Sequence, residues 1–131
     1  MNIVVDTSVI IAVIANEPQK EKLIAYTKGM DLIAPSSVHW EMCNAFSAML
    51  KQRRITLDQA RHALERYHRI PIRFVQIELD ETLKLAAKLN IYAYDAYLLR
   101  CALKYNLPLL SLDKHLIRVA QRKGTKTIEV I

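Results

Sequence analysis

Glycine is scarce in this chain. Only Gly29 and Gly124 are present, each standing alone, so no Gly-rich phosphate loop exists. With four prolines besides, no flexible linker, low-complexity segment or internal repeat is visible, and a single domain over residues 1–131 is expected. The two cysteines, Cys43 and Cys101, lie far apart, each in a helical pattern. That spacing fits two buried thiols in a reducing compartment better than a disulfide frame. No apolar run is long enough to span a membrane. The first residues lack the basic and apolar regions of a signal peptide. A soluble cytoplasmic protein is therefore expected. His39, His62, His68 and His115 form no HExxH pattern, and His39–Cys43 at i, i+4 has no second pair to complete a zinc site.

What the chain has is apolar bulk and positive charge. Hydrophobic residues make up 52% of 131, enough for one core that buries roughly two-thirds of the unfolded surface. The formal net charge of +6 fits either a polyanionic partner or plain solubility.

The pattern starts with Ile3-Val4-Val5-Asp6-Thr7-Ser8. A continuous branched apolar run reads as a strand covered on both faces, with Asp6 at its carboxyl end. Helical segments follow over 9–15 and 19–28, the second ended by Gly29. Asp31–Pro35 reads as a second strand. Ser36 or Ser37 then caps a helix to about Arg53, whose apolar face is Val38, Met42, Ala45, Phe46 and Met49. Thr56-Leu57-Asp58-Gln59 fits a capping box for a helix to about Arg69. A strand over 72–77, a helix over 81–89 capped by Asp80, and a helix over 93–105 come next. Leu107–Leu110 reads as a strand, Lys114–Arg122 as a helix ended by Gly124, and Thr127–Val130 as a last strand. Strands alternating with helices predict a three-layer α/β/α sandwich with a mainly parallel central sheet.

Four acids fall at junctions. Asp6 and Asp113 mark strand-to-helix turns, while Glu41 and Asp95 lie early in helices. In a parallel sheet these places share one edge, so the four can converge. Clustered carboxylates raise one another's pKa, and a divalent cation removes that cost. Their oxygens suit Mg²⁺ or Mn²⁺, which can activate a water for phosphodiester cleavage. Plain alternatives remain: Asp6 and Asp113 as helix caps, Asp95 as a complement to its helix dipole, Glu41 as part of a solvated stripe with Ser37 and Asn44. A haloacid-dehalogenase-type phosphatase wants a second acid two residues after the first, where this chain has Ser8.

Four motifs carry a resemblance along nearly the whole length: Val4-Val5-Asp6-Thr7-Ser8; Pro35-Ser36-Ser37-Val38 leading to Glu41 and Asn44; Tyr94-Asp95-Ala96-Tyr97-Leu98; and Leu110-Ser111-Leu112-Asp113. In this order and spacing the chain resembles PIN-domain proteins, most of all the VapC-type toxins of toxin–antitoxin pairs. The resemblance implies a Mg²⁺- or Mn²⁺-dependent endoribonuclease, with Asp6, Glu41, Asp95 and Asp113 as the metal site and Thr7, Asn44 and Ser111 as supporting polar residues. It also implies a homodimer silenced by a small antitoxin in the acidic groove. Some relatives have a further acid near the third one; here those places hold Tyr97 and Leu98, which argues against a strong second metal site.

From Lys51 to Arg73 there are seven basic residues, with His62, Tyr67 and His68 interleaved. Lys51, Arg53, Arg54, Arg61 and Arg66 read either as an RNA phosphate-tracking surface or as a solvated helix face. Trp40 fits the core or a dimer surface, and Tyr92, Tyr94 and Tyr97 fit helix packing and junction positions near Asp95. Two further functions suit the same residues: a non-catalytic nucleic-acid or partner-binding module, or a housekeeping nuclease acting on RNA or DNA.

Overall fold

Strand β1 (Asn2–Val5) is the centre of the molecule. Ile3, Val4 and Val5 are all buried, as an apolar run covered on both faces requires. The computed structural model describes residues 1–128 and 130. Beside β1 lie β2 (Asp31–Pro35) and β4 (Leu109–Leu110), and outside them β3 (Ile72–Val75) and β5 (Thr127–Ile128). The sheet order is β3-β2-β1-β4-β5, with every neighbouring pair parallel. Val4 stands between Ile33 and Leu109 in register.

The helices are α1 (Thr7–Ile14), α2 (Lys20–Thr27), α3 (Ser37–Lys51), α4 (Leu57–Arg69), α5 (Leu79–Leu89), α6 (Ala93–Tyr105) and α7 (Lys114–Arg122). The chain steps from β1 to β2 to β3 in one direction, then crosses back over β1 to β4 and on to β5. Right-handed crossovers place α1–α4 on one face and α5–α7 on the other. Packing agrees: α1 contacts α2, α3 and α4, while α6 contacts α5, β1 and β2. Helices α3 and α6 also touch each other, although they cover opposite faces. Each begins at the carboxyl edge of the sheet, which is where helices from opposite faces can meet. The expected α/β/α sandwich is present.

Local chemistry explains most boundaries. Thr56 and Gln59 form the reciprocal capping box of α4, with bonds of 3.2 and 2.9 Å. Two glycines do not suffice for the left-handed turns this chain makes. Asn90 and Asn106 close α5 and α6 with φ of 54° and 52°, and Arg53 follows α3 with φ of 56°. Asparagine tolerates that region better than other non-glycine residues.

Several sequence expectations are corrected. Asp80 does not cap α5. The helix starts two residues earlier, at Leu79 with Glu78 at the cap position, and among the described residues no side-chain capping bond is made there. The Glu78 carboxylate instead receives Lys104 at 2.7 Å, tying α5 to α6, while Asp80 pairs with Lys84 at 3.1 Å. Ser36 occupies the cap position of α3 without a capping bond; its hydroxyl donates to the Val75 carbonyl. Cys101 is buried as expected, but Cys43 is exposed, on the side of α3 away from Val38, Met42 and Phe46. Trp40 is not in the core either, being 63% exposed. Strand β3 stops at Val75, and part of the expected strand over Thr127–Val130 lies outside the described residues. Among the described residues no helix is long and apolar enough to cross a membrane.

Candidate active site

The strand order reverses between β1 and β4, whose following helices leave to opposite faces. In open α/β sheets that switch point opens a crevice at the carboxyl ends of the strands. Asp6 follows β1 and Ser111 follows β4, and the Ser111 hydroxyl donates to Asp6 Oδ2 across the gap. Asp6 is 4% exposed. Its other oxygen, Oδ1, accepts from the Ser8 hydroxyl at 2.6 Å and from the Val9 amide at 3.2 Å. Asp6 is thus the N-cap of α1 as well as the acid at the switch point. Ser8, which sequence reasoning did not single out as a site residue, also accepts the Leu112 amide at 3.0 Å and so ties the two loops together. Its signal was its place two residues after Asp6.

Glu41 lies in the second turn of α3, half-buried, and accepts a hydrogen bond from the buried Thr7 hydroxyl. Asp95 stands in the first turn of α6. Asp113 is exposed and caps α7, accepting from the amides of His115 at 2.9 Å and Leu116 at 3.3 Å. Thr7 and Ser111 thus each donate a hydrogen bond to one of the four acids. Asn44 is exposed one turn beyond Glu41, with no side-chain bond to the acids among the described residues.

The acids act on one another. Burial raises Asp6 from 3.8 to about 6, and the Glu41 charge adds to this, against the pull of the Ser111, Ser8 and Val9 hydrogen bonds. Glu41 is raised by burial and by the charges of Asp95 and Asp113, while the Thr7 bond opposes. Asp95 is raised by burial and by Asp113, with His115 opposing. This is one concentration of negative charge drawn from four separate segments. Neither Glu41 nor Asp95 is in an ion pair among the described residues.

A hard divalent cation fits this donor set, because all-oxygen ligands suit it and its charge removes the mutual repulsion. The side chains are not yet closed on one point, however. Among the described residues no group of three or more histidine, cysteine, aspartate or glutamate side chains is placed to hold an ion. Both Asp6 oxygens and one Glu41 oxygen accept hydrogen bonds from hydroxyls.

Beside the acids runs a groove of about 770 Å³ whose walls include Trp40, Leu79, Tyr92, Tyr94 and Tyr97. Tyr92 is 89% exposed, so this residue is a surface group and not a packing one. Of the basic residues, Lys51, Arg53, Arg54 and Arg61 are exposed, and Arg66 donates to the Ile14 carbonyl at 3.1 Å. His39 Nδ1 bonds the Tyr67 hydroxyl at 2.9 Å and its ring lies 4.0 Å from that of Phe74, while Cys43 is solvent-facing.

The family model of the PIN domain matches residues 3–122, and the chain belongs to the PIN-domain family. PIN domains are generally nucleases. No curated protein matches the sequence. Among solved structures, PAE2754 from Pyrobaculum aerophilum superposes with a TM-score of 0.74 at 22% identity, over 97% of this chain and 83% of that one. VapBC2 from Rickettsia felis, bound to a DNA fragment from its promoter, gives 0.71 at 14% identity, over 98% of each chain. VapC20 from Mycobacterium tuberculosis, a sarcin-ricin loop cleaving toxin, gives 0.64 at 17% identity, over 88% of this chain and 93% of that one. Identities this low carry the shared fold alone.

Proposed function

We propose that this chain is a Mg²⁺- or Mn²⁺-dependent endoribonuclease acting in the cytoplasm as the toxin of a toxin–antitoxin pair. Asp6, Glu41, Asp95 and Asp113 would hold the cation, which when bound supplies an activated water and a charge to stabilise the leaving oxygen. The supporting observation is that acids from four segments stand at the sheet's switch point, where burial and neighbouring carboxylates raise Asp6, Glu41 and Asp95. Ser8 and Ser111 hold the Asp6 carboxylate by both oxygens, and Thr7 holds Glu41. Asn44 supports from the next turn of α3. Lys51, Arg53, Arg54, Arg61 and Arg66 track phosphates of the RNA, in keeping with the net charge of +6.

An RNA substrate is supported by the fold shared with a toxin that cleaves the sarcin-ricin loop, and an antitoxin partner by the fold shared with VapBC2. A homodimer is supported by the exposed apolar residues around Trp40, Leu79 and Tyr92, a patch of the kind that marks protein contacts. The test is RNA cleavage by protein purified free of any antitoxin, with Mn²⁺, Mg²⁺ or EDTA. Cleavage is expected with either metal and none with EDTA. Cleavage that persists in EDTA and in the Asp6→Asn/Asp95→Asn variant overturns the mechanism. RNA bound but left intact in Mn²⁺ points to a binding module instead.

A further inference from the structure

A nucleic-acid strand carries a charge at every nucleotide, and four acids at one edge repel it. A strand that brings one phosphate to those acids needs cations for the phosphate beside it. Next to the switch point opens a pocket of about 370 Å³ that shares Ser111 with the acid site. Its walls include Gln19 ahead of α2 and Lys114, Arg118 and Gln121 of α7. The three α7 residues stand at i, i+4 and i+7, so they share one helix face. Among the described residues that line it there is no acid.

Two observations bear on what this pocket would take. Lys114 and Arg118 are in no ion pair among the described residues. In addition, the buried side-chain oxygen of Gln19 has no hydrogen-bond partner. A buried polar atom left without a partner marks a place the chain does not satisfy by itself. A terminal amide turned end for end presents N–H at the same position.

We propose that this pocket seats the phosphate adjoining the scissile one on a single-stranded RNA. Lys114 and Arg118 hold it by charge, and Gln19 and Gln121 supply neutral donors. The position follows from the chain: Lys114 is the residue after Asp113, and the Ser111 that lines the pocket is bonded to Asp6. Acids and cations thus lie side by side, one set for the reacting phosphate and one for its neighbour. The proposal rests on the nuclease reading above.

The test separates binding from cleavage. The full chain, its Lys114→Gln/Arg118→Gln variant and a Lys28→Gln control are titrated with a short labelled single-stranded RNA in EDTA, at rising salt, with inorganic phosphate as competitor. Cleavage in Mn²⁺ is then followed below and above saturation. The double variant is expected to bind about tenfold more weakly, with a log–log salt slope shallower by about 1.4, as two lost single-strand contacts require. Its KM rises and its kcat does not change. The control behaves as wild type, and phosphate competes against wild type more strongly than against the double variant. Wild-type affinity and slope in the double variant overturn the pocket while the nuclease reading stands. A lower kcat at unchanged affinity overturns it too. Wild-type protein that binds no RNA overturns both. Pocket-dependent binding with no cleavage in Mn²⁺ keeps the pocket and ends the nuclease reading.

Discussion

Asp6 combines two duties that pull in opposite directions. As an N-cap it wants to be an ionised acceptor for Val9, and as a buried acid beside Glu41 it resists ionisation. The shift has a definite sign. A carboxyl raised from 3.8 to about 6 binds its proton more tightly folded than unfolded. Stability from this group is therefore fully present below about pH 4 and is lost as pH rises through about 6. At neutral pH, without a cation, the buried charge costs on the order of 3 kcal/mol. Asp6→Asn recovers only part of this, because an amide oxygen cannot accept both hydroxyl bonds as a carboxylate does. In EDTA at pH 7.5 the variant is expected to melt several degrees above wild type, with the gap closing toward pH 4. Added Mn²⁺ should raise the wild-type melting temperature and leave the variant's unchanged. Equal melting curves at all pH values would show that burial does not strain this acid.

At the scale of elements, α3 carries the clearest trade. Its amphipathic face packs Val38, Met42 and Phe46 inward and sets Glu41 toward the carboxyl edge. Two residues after the helix ends at Lys51 comes Arg53, held at φ of 56°. A left-handed residue other than glycine costs roughly 1 kcal/mol. Arg53→Gly is therefore expected to stabilise the protein by about 0.5–1 kcal/mol in urea denaturation, after the added freedom of the unfolded chain is counted. The same change should weaken RNA binding if Arg53 tracks phosphate, an opposition that a merely structural arginine would not produce. The Thr56–Gln59 capping box that follows was legible from four residues, because both partners lie within one turn. The Asp80 cap was not. Glu78 sits two residues earlier and its carboxylate is drawn to Lys104, 26 residues away in sequence, a contact no local pattern contains.

For the molecule as a whole, the site depends on a very short strand. Leu109–Leu110 is all of β4, yet it joins β1 to β5 and holds Ser111 against Asp6. Leu109 is fully buried, so Leu109→Ala is expected to cost about 2–5 kcal/mol in urea denaturation, from lost burial plus the cavity left behind. Lys28→Gln on the surface should cost less than about 0.5 kcal/mol. A Leu109→Ala cost as small as that of Lys28→Gln would mean that β4 is not the strand that closes the switch point.

The order of strands and helices, the parallel sheet and the four acids at junctions were all determined by sequence alone. Each rests on a local signal: a continuous Ile/Val run for a doubly covered strand, a 3.6-residue period for α3, and an acid where the pattern breaks. Tertiary structure decided the rest. Which hydroxyl holds which carboxylate, Ser8 with Ser111 on Asp6 and Thr7 on Glu41, depends on β1, β4 and α3 meeting at one edge. The exposure of Trp40 and Cys43 depends on how α3 is turned about its axis, because an apolar side chain carries no mark of which way it will face. The raised Asp6 follows from burial, which is a property of everything packed around it and of no residue in its own motif.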